Sequence, residues 1–145
     1  MKKVANAGVG VMLLKDDKVL LGKRNDDSIK ADSLLHGEGT WTCPGGKLDF
    51  GEKIVDAVKK EIFEETGIKA NYLNVVSVTN EIVSDAHFVT IGFLCKDFEG
   101  EPKIMEPEEI VEWKWFSLNK LPENIYPPSL KLINNYLENK IYKGD

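Results

Sequence analysis

The chain has 145 residues, 42% hydrophobic and 30% charged, which suits one soluble globular domain spanning 1–145 with a single sizeable core. A net charge of −5 and a pI near 5.1 exclude a general electrostatic pull toward nucleic-acid polymers or anionic membranes, so an anionic ligand needs a local cation. No apolar run approaches the roughly 18 residues of a membrane span, and two cysteines without CxxC spacing, Cys43 and Cys95, read as reduced thiols of a cytoplasmic protein.

In chain order, residues 4–14 alternate, with Ala5, Ala7, Val9, Val11 and Leu13 on one face and Asn6, Gly8, Gly10 and Met12 on the other. That period predicts a strand, and its glycine face invites either another backbone or a flat ligand. Asp16-Asp17 marks a turn, and residues 18–23 return as the second strand of a hairpin. Arg24 ends that strand, either as a phosphate or base contact or as a surface partner of Asp26 or Asp27. Residues 25–40 read as a polar loop, long enough to act as a substrate lid, with His36 solvated inside it. Pro44-Gly45-Gly46 bends the backbone and exposes carbonyls, and residues 47–50 read as a short strand.

A helix follows over 53–66, closed by Gly67. On a wheel, Ile54, Ala57 and Val58 share one stripe with Val55 and Ile62 at its edge, and the stripe ends in Glu61, Glu64 and Glu65. Lys53, Asp56, Lys59 and Lys60 take the outer side. Two readings are open: a divalent cation compensates three inward carboxylates, or the helix rolls outward and leaves them in water.

Residues 69–83 suggest a strand, and 86–96 are apolar on both faces, which predicts a central strand in a sheet covered by helices. Residues 97–107 are turn-like, and 110–116 form a further strand preceded by Glu108 and Glu109. A terminal helix over 129–139 carries Leu130, Ile133, Tyr136 and Leu137 at helical spacing, most simply as core.

The spacing Gly46, five residues, Glu52, seven residues, then Lys60-Glu61-Ile62-Phe63-Glu64-Glu65-Thr66-Gly67-Ile68 resembles the Nudix box. Each constrained position matches except that Lys60 stands where the family has Arg. The Trp41–Gly46 approach, the Leu20–Arg24 segment and the 106–118 segment are also similar to that family, MutT-like members above all. The resemblance implies an α/β/α sandwich around a mixed sheet, with the 53–66 helix on one face and the 129–139 helix on the other. It implies Mg²⁺ or Mn²⁺ held by the Gly45 carbonyl, Glu52, Glu61, Glu64 and Glu65. It makes Glu61, Glu64, Glu65, Lys60 and Glu109 the catalytic candidates, Glu109 by its place six residues before Trp115. Arg24, Gly45, Gly46, Lys47 and Leu130 are the substrate-binding candidates. Leu130 occupies the place where MutT-like relatives carry a purine-reading Asn.

The implied reaction is hydrolysis of a nucleoside triphosphate, or a modified nucleotide, to monophosphate and pyrophosphate. The alternative within the family is an ADP-sugar or dinucleotide pyrophosphatase. From other functional classes on the same fold come a non-catalytic nucleotide sensor, which retention of Glu64 and Glu65 argues against, and an isomerase, which two histidines argue against. Similar small proteins are often homodimers, with Trp113 or Trp115 as interface candidates.

Overall fold

A computed structural model describes residues 3–31 and 35–144. Its elements run β1 (Asn6–Lys15), β2 (Lys18–Arg24), α1 (Ser28–Ala31), β3 (Trp41–Thr42), β4 (Gly45–Lys47), α2 (Ile54–Thr66), β5 (Lys69–Val83), β6 (Ala86–Glu99), β7 (Ile110–Ser117) and α3 (Pro127–Glu138). Strand order is β3-β2-β1-β6-β5, with β4 also pairing β1 and β7 pairing β2. The β1–β6 pair is parallel and the remaining strand pairs are antiparallel, so the sheet is mixed as expected. Asp16 and Asp17 sit at φ 53° and 60°, the left-handed pair that lets a two-residue turn follow the twist of β1 and β2.

The alternation of β1 decides the layers. Val9, Val11 and Leu13 face α2, where they meet Val58, Ile62, Phe93 and Cys95. Met12 and Leu14 face α3, where they meet Val19, Leu21, Leu94, Leu132 and Ile133. The two helices thus cover opposite faces, and β6 is buried on both sides at Phe93, Leu94 and Cys95. Both indoles of β7 are used inside the chain: Trp115 stacks on Phe98 at 6.0 Å, and Trp113 packs on the α2-side cluster.

Several boundaries differ from the sequence reading. The short strand is Gly45–Lys47, not 47–50, because Gly8, Val9 and Gly10 pair with Lys47, Gly46 and Gly45. The turn-like reading of 97–107 holds only from Gly100, since β6 runs to Glu99 opposite Lys69. In α2, Ala57, Val58 and Ile62 are buried, whereas Ile54 and Val55 are exposed. In α3 the inward stripe is Leu132, Ile133 and Asn135, while Leu130 and Leu137 point outward at 39% and 50% exposure. The 25–40 segment contains α1, and the part of the lid reading that falls on 32–34 lies outside the described residues. No helix among the described residues is long and apolar enough to cross a membrane.

Candidate active site

The N-terminal halves of strands β1 and β6, the β4 strand, the α2 acids, the 106–110 turn and the start of α3 surround one cavity of about 470 Å³. Gly8 and Gly10 form part of its floor, beside Phe88 and Thr90. A Cβ on Gly8 would lie 3.4 Å from Phe88 and Thr90, and one on Gly10 would lie 3.6 Å from Leu132, so side chains pack over the glycine face of β1 where it lines the cavity.

Glu61 and Glu65 stand one helical turn apart on the cavity side of α2. Glu65 is 9% exposed; its Oε2 accepts the Gly45 N–H at 3.2 Å, and its backbone carbonyl accepts the Trp113 Nε1–H at 3.2 Å. Burial, then the charge of Glu61, pushes the Glu65 carboxyl well above the usual carboxylate range. Burial also raises Glu61, offset by a hydrogen bond from Glu65. In the hydrogen bond the two carboxyls share, Glu65 is the donor and Glu61 the acceptor. Gly46 has no side chain because a Cβ there would sit 2.8 Å from the Glu61 carboxylate.

Glu64 departs from the expected stripe. It is exposed and does not line the cavity, although its charge reaches Glu61 and Glu106. Glu52 is held elsewhere too: Lys60 Nζ donates to its Oε2 at 2.6 Å, and the Asp49 N–H donates to its Oε1 at 2.8 Å. Lys60 also lies 3.7 Å from Asp49. That ammonium lowers the Glu52 pKa and is itself raised by it. Lys60 therefore fixes the loop before α2 through a point charge, where Arg would offer a fork. Lys60→Arg is expected to keep or modestly raise turnover in a steady-state assay. A loss beyond about tenfold, roughly 1.4 kcal/mol of barrier, would give the ammonium a role of its own.

Glu106 joins the site although the sequence reading passed over it. Glu109 N–H and Ile110 N–H both donate to the Glu106 carbonyl at 3.0 Å, closing a turn with Pro107 as its second residue. That turn sets Glu106 and Glu109 side by side on the cavity wall. Burial, with the charge of Glu109, lifts Glu106 to about 7. The signal was in the sequence: Glu-Pro-Glu-Glu places acids at the first and fourth positions of a Pro-led turn.

The cavity has two cations on its wall, Arg24 and Lys47. The uncharged residues Tyr126, Pro128, Ser129 and Leu132 form the neutral end of its wall, with the Arg24 guanidinium 4.7 Å from the Tyr126 ring. Leu130 is not part of it; Ser129 takes the cavity-side place at the start of α3. Ser129 Oγ accepts the Cys43 N–H at 2.8 Å and lies 3.1 Å from Thr42 Oγ1, which donates to the Cys43 carbonyl at 2.9 Å. Cys43 is buried, which pushes its thiol up to about 12, so no thiolate is on offer.

A family model described as NUDIX domain matches residues 4–136. The chain belongs to the Nudix family. This Nudix chain is 31% identical over 125 residues to an ADP-ribose pyrophosphatase of Methanocaldococcus jannaschii, covering 85% of the chain and 68% of that protein. It is 27% identical over 124 residues to the NAD-capped RNA hydrolase NudC of Escherichia coli O157:H7, but spans only 46% of that protein's length. Its fold superposes on the crystal structure of a MutT NUDIX hydrolase from Burkholderia pseudomallei with a TM-score of 0.82 at 29% identity, covering 92% of this Nudix chain and 98% of that one.

Nudix proteins use divalent metal ions. Among the described residues, no three His, Cys, Asp or Glu side chains are drawn together as a ready-made cage. The donor chemistry nonetheless fits such an ion: five carboxylates line one cavity with two cations, and burial followed by neighbouring carboxylate charge raises three of them, Glu61, Glu65 and Glu106.

Proposed function

We propose that this Nudix hydrolase cleaves a nucleoside triphosphate or modified nucleotide to a monophosphate and pyrophosphate. The observation that carries the reading is that one cavity is lined both by an acidic set of side chains and by a neutral set. Four glutamates in the first suit a polyphosphate brought in with Mg²⁺ or Mn²⁺. The glycine floor with Tyr126 and Leu132 in the second suits a flat base and its sugar. The likeness to the Burkholderia MutT NUDIX hydrolase supports the hydrolase part of this reading.

Glu61 and Glu65, with the Gly45 carbonyl, are the residues that would hold the cation, with Glu52 and Glu64 as outlying carboxylates. Bound there, the ion supplies charge to phosphoryl oxygens and acidifies a water. The chain's own residues do the rest. Lys47 offers its ammonium to a phosphate oxygen. Glu106, assisted by Glu109, accepts the proton of the attacking water on a carboxylate oxygen. The water oxygen bonds to phosphorus as the bond to the bridging oxygen breaks, and pyrophosphate leaves. Glu106→Gln is expected to lower kcat by about 10²-fold and to flatten the rising limb of the pH–rate profile near 7, while Glu109→Gln costs less. Unchanged rates in both variants would place the proton acceptor elsewhere.

A second reading, an ADP-sugar or dinucleotide pyrophosphatase, is favoured by the 31% identity to the ADP-ribose pyrophosphatase. One experiment separates the two: a panel of nucleoside triphosphates, ADP-ribose and dinucleotides with Mg²⁺, products resolved by chromatography. Monophosphate and pyrophosphate from a triphosphate at the highest kcat/KM is the expected result. A higher kcat/KM for ADP-ribose would replace it with the second reading. Activity is expected to vanish in chelator and return with Mg²⁺ or Mn²⁺; Zn²⁺ as the sole effective ion would contradict an all-oxygen site.

The same reading takes residues 1–145 as a single domain acting in the cytoplasm on a small nucleotide, with no nucleic-acid polymer or membrane as partner, and as a homodimer. Since Trp113 and Trp115 are engaged within the chain, the dimer interface would lie elsewhere. Light scattering on the eluted protein tests the assembly.

A further inference from the structure

We propose that Arg24 is a positioning residue that builds the neutral end of the cavity, rather than a direct contact to substrate phosphate. The proposal rests on the nucleotide reading above for its kinetic arm and on geometry alone for its structural arm.

Arg24 lies at the end of β2, where the regular pairing with β7 shifts register. It is only 8% exposed. Its Nε donates to the Gly37 carbonyl at 2.9 Å, its Nη2 donates to the Ala31 carbonyl at 3.4 Å, and its guanidinium carbon lies 4.7 Å from the centre of the Tyr126 ring. A fork and a face are both in use, a combination only guanidinium provides. The backbone repeats the tie: Arg24 N–H donates to the Thr40 carbonyl at 2.8 Å, and the Gly39 N–H donates to the Asn25 carbonyl at 3.0 Å.

Gly37 explains why the fit is close. It sits at φ +91°, and a Cβ there would meet Tyr126 Cδ1 at 2.5 Å, so the backbone of 37 lies directly on the ring. Arg24, Gly37 and Tyr126 form one packed unit, and Tyr126 is a wall of the neutral end. The next residue, Asn25, donates its N–H to the Glu109 carbonyl at 2.9 Å, so the same strand end also seats the acid-bearing turn. Glu38, Glu65 and Glu109 supply the negative surroundings that a buried guanidinium needs. A phosphate would have to compete with bonds the cation already makes.

The test uses the full chain as wild type, Arg24→Lys and Tyr126→Leu. Arg24→Lys keeps the charge and removes the fork; Tyr126→Leu keeps Arg24 and removes the ring. In hydrogen exchange on the free protein, both variants are expected to speed exchange of the Gly39 and Thr40 amides tenfold or more, with the β1 and β6 amides unchanged. In kinetics, both are expected to lower kcat/KM for the best nucleoside triphosphate tenfold or more, chiefly through KM, and to lower that for ribose 5-triphosphate, which has no base, less than threefold. Equal losses on both substrates with unchanged exchange would overturn the proposal and make Arg24 a phosphate contact. Should wild type cleave no triphosphate, the nucleotide reading fails, while the exchange arm still decides whether Arg24 and Tyr126 hold the segment.

Discussion

Glu65→Gln is expected to lower kcat by about 10²–10⁴, the scale of losing one strong electrostatic or acid–base contributor, while leaving the site's architecture in place. The amide suits the local bonds: its oxygen can accept the Gly45 N–H that Glu65 Oε2 accepts, and its nitrogen can donate to Glu61. What goes is one negative charge in the place with the least access to water. The stability effect has the opposite sign. Burial holds the folded Glu65 pKa above the unfolded value near 4.3. The folded state then binds the proton more tightly, so its stability falls as pH rises from the unfolded pKa through the folded one. Gln removes that loss. In chelator, the melting temperature of the variant should equal that of wild type near pH 4 and lie level or higher at pH 7. A variant with wild-type turnover would end the view that this acid pair carries the reaction.

Gly45→Ala and Gly46→Ala, adjacent and chemically identical changes, are expected to fail in different ways. A Cβ on Gly45 collides with the Val9 carbonyl oxygen and comes within 3.0 Å of Gly10 Cα, both backbone atoms of the paired strand. Relief requires β4 to leave β1, which costs about 3 kcal/mol or more and lowers the melting temperature by roughly 6–12 °C in a chain of this size. A Cβ on Gly46 meets only the end of the Glu61 side chain, which can swing aside. Its melting temperature should stay within about 3 °C of wild type, with turnover at least tenfold down because the Glu61–Glu65 pair is parted. Equal shifts in stability for the two variants would show that the β1–β4 register is softer than its contacts suggest.

Much of this was legible in the sequence, and the failures have physical reasons. The β1 alternation survived because both faces are buried, so period and environment agree. The acid helix survived because Gly67 ends it in a left-handed cap, donating its N–H to the Phe63 carbonyl at 2.8 Å. Glu64 was misplaced because a wheel gives angles and not the width of the covered stripe; at this point α2 leaves only Glu61 and Glu65 over the cavity. Leu130 was misplaced for a related reason. Tyr126, Pro127 and Pro128 set where α3 starts, and that rotation brings Ser129 and Leu132 inward in its stead. Glu106 was missed because matching by distance from Trp115 chose one acid, whereas the turn that pairs it with Glu109 is a property of Pro107.

The way β1 divides its side chains has a consequence for how the molecule comes apart. Val9, Val11 and Leu13 belong to one hydrophobic cluster and Met12 and Leu14 to the other, yet all five ride on a single peptide ribbon. Neither cluster can loosen without dragging that ribbon, and the ribbon cannot turn over by one residue without exchanging both sets and lifting glycines into a core. The molecule therefore has two oily compartments but one breaking point. Amides on the α2 side and the α3 side should lose protection together in denaturant, and the nucleotide cleft, floored by the same ribbon, should disappear in the same step.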